Sequence, residues 1–203
     1  MTASAIKPYL AVGYHPTMPW SDYVSMKALN NSTLKHIEAS PFEYKHRLQF
    51  PPPDNDVFRA GRAYHTAILE GEGHFHALYA RCEMRRDKRT EKYQEFMRQN
   101  PGKTILPVDQ FDGALQAAKV IRQRPMVRQL LECTGFNEVS YSFEIEGRAC
   151  KMRIDREIPD NDGIIVEVKT KGRGGLTAAD CARHIAEYSY HRAAAWHLDG
   201  VYR

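Results

Sequence analysis

The sequence predicts an α/β fold: a mixed central sheet flanked by helices, with an N-terminal helical part. Three observations carry this. Apolar residues recur at helical spacing up to about residue 134, the period drops to two after Gly135, and Thr177 with Asp180 forms a capping box that reopens helix near the end. A length of 203 residues suits one domain with an arm. The expected division is an extended N-terminal arm over 1–24 and a single domain over 25–203. Within that domain, 25–134 is the helical part and 135–203 holds the sheet and final helix.

The elements follow in order. Pro8, Pro16 and Pro19 among aperiodic aromatics make the arm. Ser32 is expected to cap a short helix over 33–37, and Ser40-Pro41 to open another through Phe42, Tyr44 and Leu48. Ala60, Ala63, Tyr64, Ala67 and Ile68 give a helix over 58–69, closed by Gly71 and Gly73. Phe111, Leu115, Ala118 and Ile121 mark a helix over 109–124; Pro125 ends it and starts the next. Val139, Tyr141, Phe143 and Ile145 alternate with polar residues, so 138–145 is a strand. Glu146-Gly147 turns it into a returning strand over 148–155. Residues 159–163 form a turn, 164–168 a short buried strand, and Gly172, Gly174 and Gly175 a loop. The helix capped by Thr177 is expected to break near Tyr188–Tyr190.

Composition narrows the function classes. A hydrophobic content of 42% is enough for a core, which argues against wholesale disorder. With 29 Lys and Arg against 25 Asp and Glu, the chain carries +4, compatible with a polyanionic partner. No apolar run reaches the roughly 18 residues of a membrane span, and MTASAIKPYL lacks a signal-peptide core. The expectation is a soluble, cytoplasmic protein without a membrane partner. Cys82, Cys133, Cys150 and Cys181 are too widely spaced for a zinc cluster and read as reduced, mostly buried thiols.

One constellation carries chemistry. Asp155 ends a strand, and Glu167 and Lys169 share one face of the next. Converging carboxylates with a carbonyl suit a hard divalent ion such as Mg²⁺ or Mn²⁺. Such an ion lowers the pKa of bound water and neutralises charge developing on a phosphate. On spacing alone, a salt-bridged, solvated strand face is the better reading of Glu167 and Lys169, because short carboxylate–lysine patterns are common by chance.

Longer motifs surround these residues. Gly61-Arg62-Ala63-Tyr64-His65 with Leu69-Glu70 resembles the G-x-A-x-H…LE signature of the exodeoxyribonuclease VIII-like phage recombination exonucleases. So do Lys151-Met152-Arg153-Ile154-Asp155 and Val166-Glu167-Val168-Lys169-Thr170, which match the family's PD-(D/E)xK core. Asn137-Glu138-Val139-Ser140, Tyr188-Ser189-Tyr190-His191 and Ser40-Pro41-Phe42-Glu43-Tyr44 resemble further family segments, from about residue 13 to the end. The resemblance implies a restriction-endonuclease-like sheet. Asp155, Glu167 and the Val168 carbonyl would ligate metal, with Glu138 and His65 beside them. Lys169 would orient the attacking water, and Tyr190 would belong to the catalytic set. The cofactor would be Mg²⁺, with Mn²⁺ able to substitute.

Two departures stand out. The family shows a Gln three residues after the motif Tyr, where this chain has Ala193, and relatives continue past the position of Arg203.

Positive charge clusters at Arg81, Arg85, Arg86, Lys88 and Arg89, again at Lys119, Arg122, Arg124 and Arg128, and at Lys169, Lys171 and Arg173. Arg85, Arg86, Lys88, Arg89, Arg153, Lys171 and Arg173 are the expected DNA contacts, giving salt-sensitive and sequence-independent binding. The resemblance implies a 5′→3′ exodeoxyribonuclease acting on double-stranded DNA ends in phage-type recombination, in the cytoplasm of a bacterial host. A single-strand annealing protein as partner and a homo-oligomeric ring are implied with it. The alternatives are a catalytically impaired DNA-binding remnant and an endonuclease on the same core.

Overall fold

The computed structural model describes residues 13–159, 163–171 and 177–202. Along the chain it forms β1 (Gly13–His15), α1 (Trp20–Ser25), α2 (Asn31–Leu34) running into a 3-10 turn (Lys35–Glu38), and α3 (Pro41–Gln49). Then come α4 (Asp56–Leu69), α5 (Gly71–Leu78), β2 (Tyr79–Cys82), α6 (Glu91–Gln99), β3 (Thr104–Pro107), α7 (Val108–Arg122) and α8 (Pro125–Glu132). The last stretch holds β4 (Phe136–Ile145), β5 (Arg148–Ile158), β6 (Ile164–Val166), α9 (Ala178–Glu187) and α10 (Tyr190–Val201). The result is a mixed α/β fold. Two compact, discontinuous units share the chain. One comprises Met1–Pro52, Phe136–Glu157 and Lys171–Arg203; the other comprises Pro53–Gly135 and Ile158–Thr170.

The first unit is built on β1, β4 and β5, paired antiparallel in that order. Glu146 and Gly147 both take positive φ, 49° and 72°, so the hairpin closes through a two-residue primed turn. Val139, Phe143, Met152 and Ile154 are almost fully buried. Helix α10 covers this core: the Trp196 ring sits 5.3 Å from Phe143, and its Nε1 donates to the Lys151 carbonyl at 3.1 Å. Gly200 permits the contact, because a Cβ there would lie 2.5 Å from Met152 Sδ and 2.8 Å from Phe143. Ser189, in the left-handed region at φ 52°, breaks α9 from α10 where the sequence predicts a break. The Thr177–Asp180 capping box is present, with the Asp180 amide donating to Thr177 Oγ1 at 3.1 Å.

The expected extended arm is structured over its described part. Tyr14 pairs with Tyr141 in the sheet, and residues 20–25 turn helical. Residue 30 rather than 32 caps α2: the Asn30 side chain accepts the Thr33 amide at 2.9 Å. Ser40 caps α3 as expected.

The second unit centres on α4 against α7. Ala63, Ala67 and Ile68 from α4 meet Phe111, Ala114 and Ala118 from α7, with Phe75 and Leu106 completing the buried cluster. Small residues one turn apart let the two backbones approach closely. Arg122 donates to the Ala67 and Ile68 carbonyls at 3.4 and 2.6 Å, satisfying the last carbonyls of α4. Gly71, at φ 85°, ends α4 but immediately starts α5, a helix for which the sequence reading made no assignment. β2 and β3 pair in parallel, and neither they nor α6 are legible from periodicity. β6 is shorter than expected, ending at Val166, and Ile164 is exposed rather than buried.

All four cysteines are free thiols; only Cys82 and Cys150 are buried, and Cys181 is exposed. Among the described residues, no helix is long and apolar enough to cross a membrane. The Gly172–Gly175 loop, Arg173 and the centre of the turn at 160–162 lie outside the described residues.

Candidate metal centre

In the first unit, the register of the hairpin sets Glu138 across from Asp155. Asn137 faces Arg156 and Val139 faces Ile154, so the pair between them is the acidic one. Glu138 and Asp155 can each offer a carboxylate oxygen within 4.8 Å of the other. Glu138 holds this place with φ at 55°, a conformation that costs a non-glycine residue energy and clusters at functional sites. Two half-buried carboxylates this close repel unless a cation lies between or beside them. Both are hard oxygen donors, matching a divalent ion of the Mg²⁺ or Mn²⁺ type. A cation already attends the pair: Arg153 Nε donates to Glu138 Oε2 at 2.8 Å.

The same stretch of β5 holds a second buried cation. Lys151 Nζ donates to the Tyr23 and Met26 carbonyls at 2.7 and 2.8 Å, and lies 4.8 Å from the Tyr23 ring centroid. It thereby ties the end of α1 to β5. Burial pulls its pKa down to about 8. Unfolded lysine titrates near about 10.4, so between these values the unfolded chain binds more protons and stability rises with pH. Urea unfolding across this window should show that rise in the wild type and a flatter profile in Lys151→Met. Equal profiles would contradict a buried ammonium as its source.

In the second unit, the G-x-A-x-H spacing acquires a physical reason. Ala63 points into the core with no exposure, whereas Gly61 and half-buried His65 share another stripe of α4. A Cβ on Gly61 would lie 3.9 Å from Thr170 Oγ1, and Val168 packs against the α4–α7 core. The segment 167–170 is thus seated along α4. Beyond β6 the backbone leaves the strand, yet the two side chains still share a side: Lys169 Nζ donates to Glu167 Oε2 at 2.5 Å.

Tyr190 lies in an aromatic cluster at the α9–α10 break, stacked on Tyr188 at 5.8 Å and edge-on to His184 at 5.5 Å. Of the expected DNA contacts, several are engaged internally. Arg86 pairs with Asp56 at 2.7 Å, an interaction that with Arg59 holds the Asp56 carboxyl down at about 2. Arg89 pairs with Asp87 at 2.8 Å, and Arg81, in the same basic run but not among the expected contacts, grips Asp112 through two bonds. Arg153 is only 14% exposed and belongs to the sheet. Lys171 is half-buried, while Arg85 and Lys88 are exposed. Sequence reading missed Lys151; its position in a strand that alternates around a buried face is the signal that could have found it.

Comparison with protein families matches residues 30–201 to a PDDEXK-like domain of unknown function (DUF3799). No curated protein matches the chain.

Proposed function

The chain belongs to this PDDEXK-like family, and on that premise we propose that it is a divalent-metal-dependent nuclease. The finer reading is a 5′→3′ exodeoxyribonuclease acting on double-stranded DNA ends, similar to the exodeoxyribonuclease VIII-like phage recombination exonucleases. The observation that supports it best is the register-matched pair Glu138 and Asp155, held together at the cost of a left-handed backbone.

Glu138 and Asp155 would hold Mg²⁺ or Mn²⁺, and the family resemblance adds Glu167 and the Val168 carbonyl as ligands. The bound ion would supply charge neutralisation and a more acidic water. Lys169 would orient that water, released from or shared with Glu167, and His65 and Tyr190 would complete the set. Phage-type recombination, an annealing protein as partner and a ring of subunits in the bacterial cytoplasm extend the same resemblance.

A linear duplex labelled at its 5′ ends tests the reading. Cleavage should require Mg²⁺ or Mn²⁺, stop with EDTA, and spare covalently closed circles, which offer no end. Nicking of closed circles would point instead to an endonuclease.

Binding should weaken as salt rises, equally for unrelated sequences. Arg85 and Lys88 are exposed and lie outside the ion pairs that Arg86 and Arg89 make, so replacing both with Ala should flatten the slope of log affinity against log salt by about 2. Arg86→Ala should instead lower stability through loss of Asp56, with little change in that slope. Titrations of labelled duplex at several salt concentrations decide this; an unchanged slope in the double variant would remove these residues from the interface.

A further inference from the structure

Helix α3 carries an aromatic column that is open to solvent. The helix is fixed at its start rather than from beneath: Ser40 caps the first turn, Pro41 takes the first helical position, and no residue of the helix is buried. Phe42, His46 and Phe50 stand four residues apart and so share one stripe. The Phe42 and His46 rings stack at 6.3 Å with 26° between their planes, and Phe50 continues the column 5.1 Å from His46. Phe42 is 76% exposed and Phe50 62%. Exposed apolar side chains gathered in one place mark an interaction site, whereas scattered ones need no explanation.

The charges around the column choose the partner. Residues 31–50 contain two carboxylates, and each is already engaged by an arginine: Glu38 by Arg192, and Glu43 by Arg47 at 2.7 Å. Lys45, beside His46, and Lys35, on the 3-10 turn that packs on α3, are both exposed. Neither makes an ion pair among the described residues. We propose that the Phe42–His46–Phe50 column is a stacking platform for the unpaired bases of a single nucleic-acid strand, with Lys35 and Lys45 on its phosphates. Aromatic faces for the bases and cations for the backbone hold single strands without regard to sequence. The platform uses none of the residues of the metal centre and asks for no cleavage. It therefore stands or falls apart from the nuclease reading.

The test is fluorescence anisotropy of the full chain with an end-labelled oligothymidine of about 12 nucleotides, within the usual site sizes, in EDTA so that no strand is cut. Phe42→Ala and Phe50→Ala should each weaken binding by about 5- to 150-fold, the range for one lost base–aromatic stack. Phe42→Trp keeps the aromatic face and should bind at least as tightly as the wild type. Leu48→Ala is the control: Leu48 is 51% exposed but lies off the stripe, and its removal should change nothing. A strand of the same length made of abasic positions keeps the phosphates and loses the bases. The wild type should bind it as weakly as the Phe42→Ala/Phe50→Ala double variant binds oligothymidine, and the double variant should not tell the two strands apart. Replacing both lysines with Ala should flatten the slope of log affinity against log salt by about 1.4, while the phenylalanine variants leave the slope alone. Both phenyl rings are exposed, so their removal should spare the fold, as circular dichroism will check. Failure of the wild type to bind oligothymidine overturns the proposal, as does wild-type affinity in the folded double variant. So does an equal loss on oligothymidine and the abasic strand, or an unchanged slope in the lysine variant. It falls too if the double variant alters the oligomeric state in sedimentation and leaves strand affinity as it was, which would make the column a contact between copies of the chain.

Discussion

Asp155→Asn is expected to lower the single-turnover rate of cleavage by about 10³-fold or more, with the chain still folded. The size follows from what a metal contributes: several kcal/mol of charge stabilisation, where roughly 4 kcal/mol corresponds to about 10³ in rate. Asn keeps the shape of the side chain and loses the anionic oxygen that a hard cation requires. Its neighbours on β5, Ile154 and Arg156, are buried and hold the strand whether or not the carboxylate is charged. Circular dichroism should be unchanged while cleavage of a labelled duplex disappears. A rate within tenfold of the wild type would remove Asp155 from the metal centre.

Lys169→Met is expected to fail differently. Met preserves most of the stem and its packing and removes only the ammonium. Glu167 then loses its partner at 2.5 Å, so the local charge becomes more negative and cation binding should be unchanged or slightly tighter. The loss should fall on the chemical step, at about 10²–10³ in rate, as for other positioned electrostatic groups. Single-turnover cleavage beside calorimetric Mn²⁺ titration separates the two effects. If the wild type binds Mn²⁺ and DNA yet cleaves no faster than Lys169→Met, the chain is a DNA-binding remnant. If the variant loses metal binding as fully as Glu167→Ala, Lys169 is part of the ligand frame.

What the sequence made legible is what short-range chemistry determines. The β4–β5 hairpin follows from period-two alternation around Glu146-Gly147, and the start of α9 follows from Thr177 and Asp180, three residues apart. The carboxylate pair was legible as residues, through the family motifs, but its geometry was not. Nothing local announces that Glu138 adopts a left-handed φ, because the compensating contacts come from Arg153 across the hairpin. The basic run over 81–89 shows the same limit. Its arginines look available for phosphates in the sequence, while Asp56 and Asp112, some 30 residues away in either direction, engage Arg86 and Arg81. The parallel β2–β3 pair escaped for a related reason: two four-residue strands show too few alternations, and their pairing spans α6. For α2, Ser32 and Asn30 are both good caps, and only the backbone conformation chooses Asn30.

The interleaving of the two units has a consequence for how the chain emerges during synthesis. Neither unit is encoded by one continuous stretch. When Gly135 has left the ribosome, the α4–α7 core can collapse, but Glu167–Thr170, which seats Val168 on it, has yet to be made. The other unit waits longer still. Its strand β1 must wait for β4 while 83 residues of the other unit (53–135) are translated, and its core stays open until α10 brings Trp196 and Gly200 onto β4 and β5. Folding therefore cannot proceed one unit at a time from the N-terminus, and its slowest step should involve contacts of large sequence separation. A nascent chain stalled before α10 would expose Phe143 and Met152 to solvent, and in the cell such a chain is a substrate for chaperones rather than a working half of the protein.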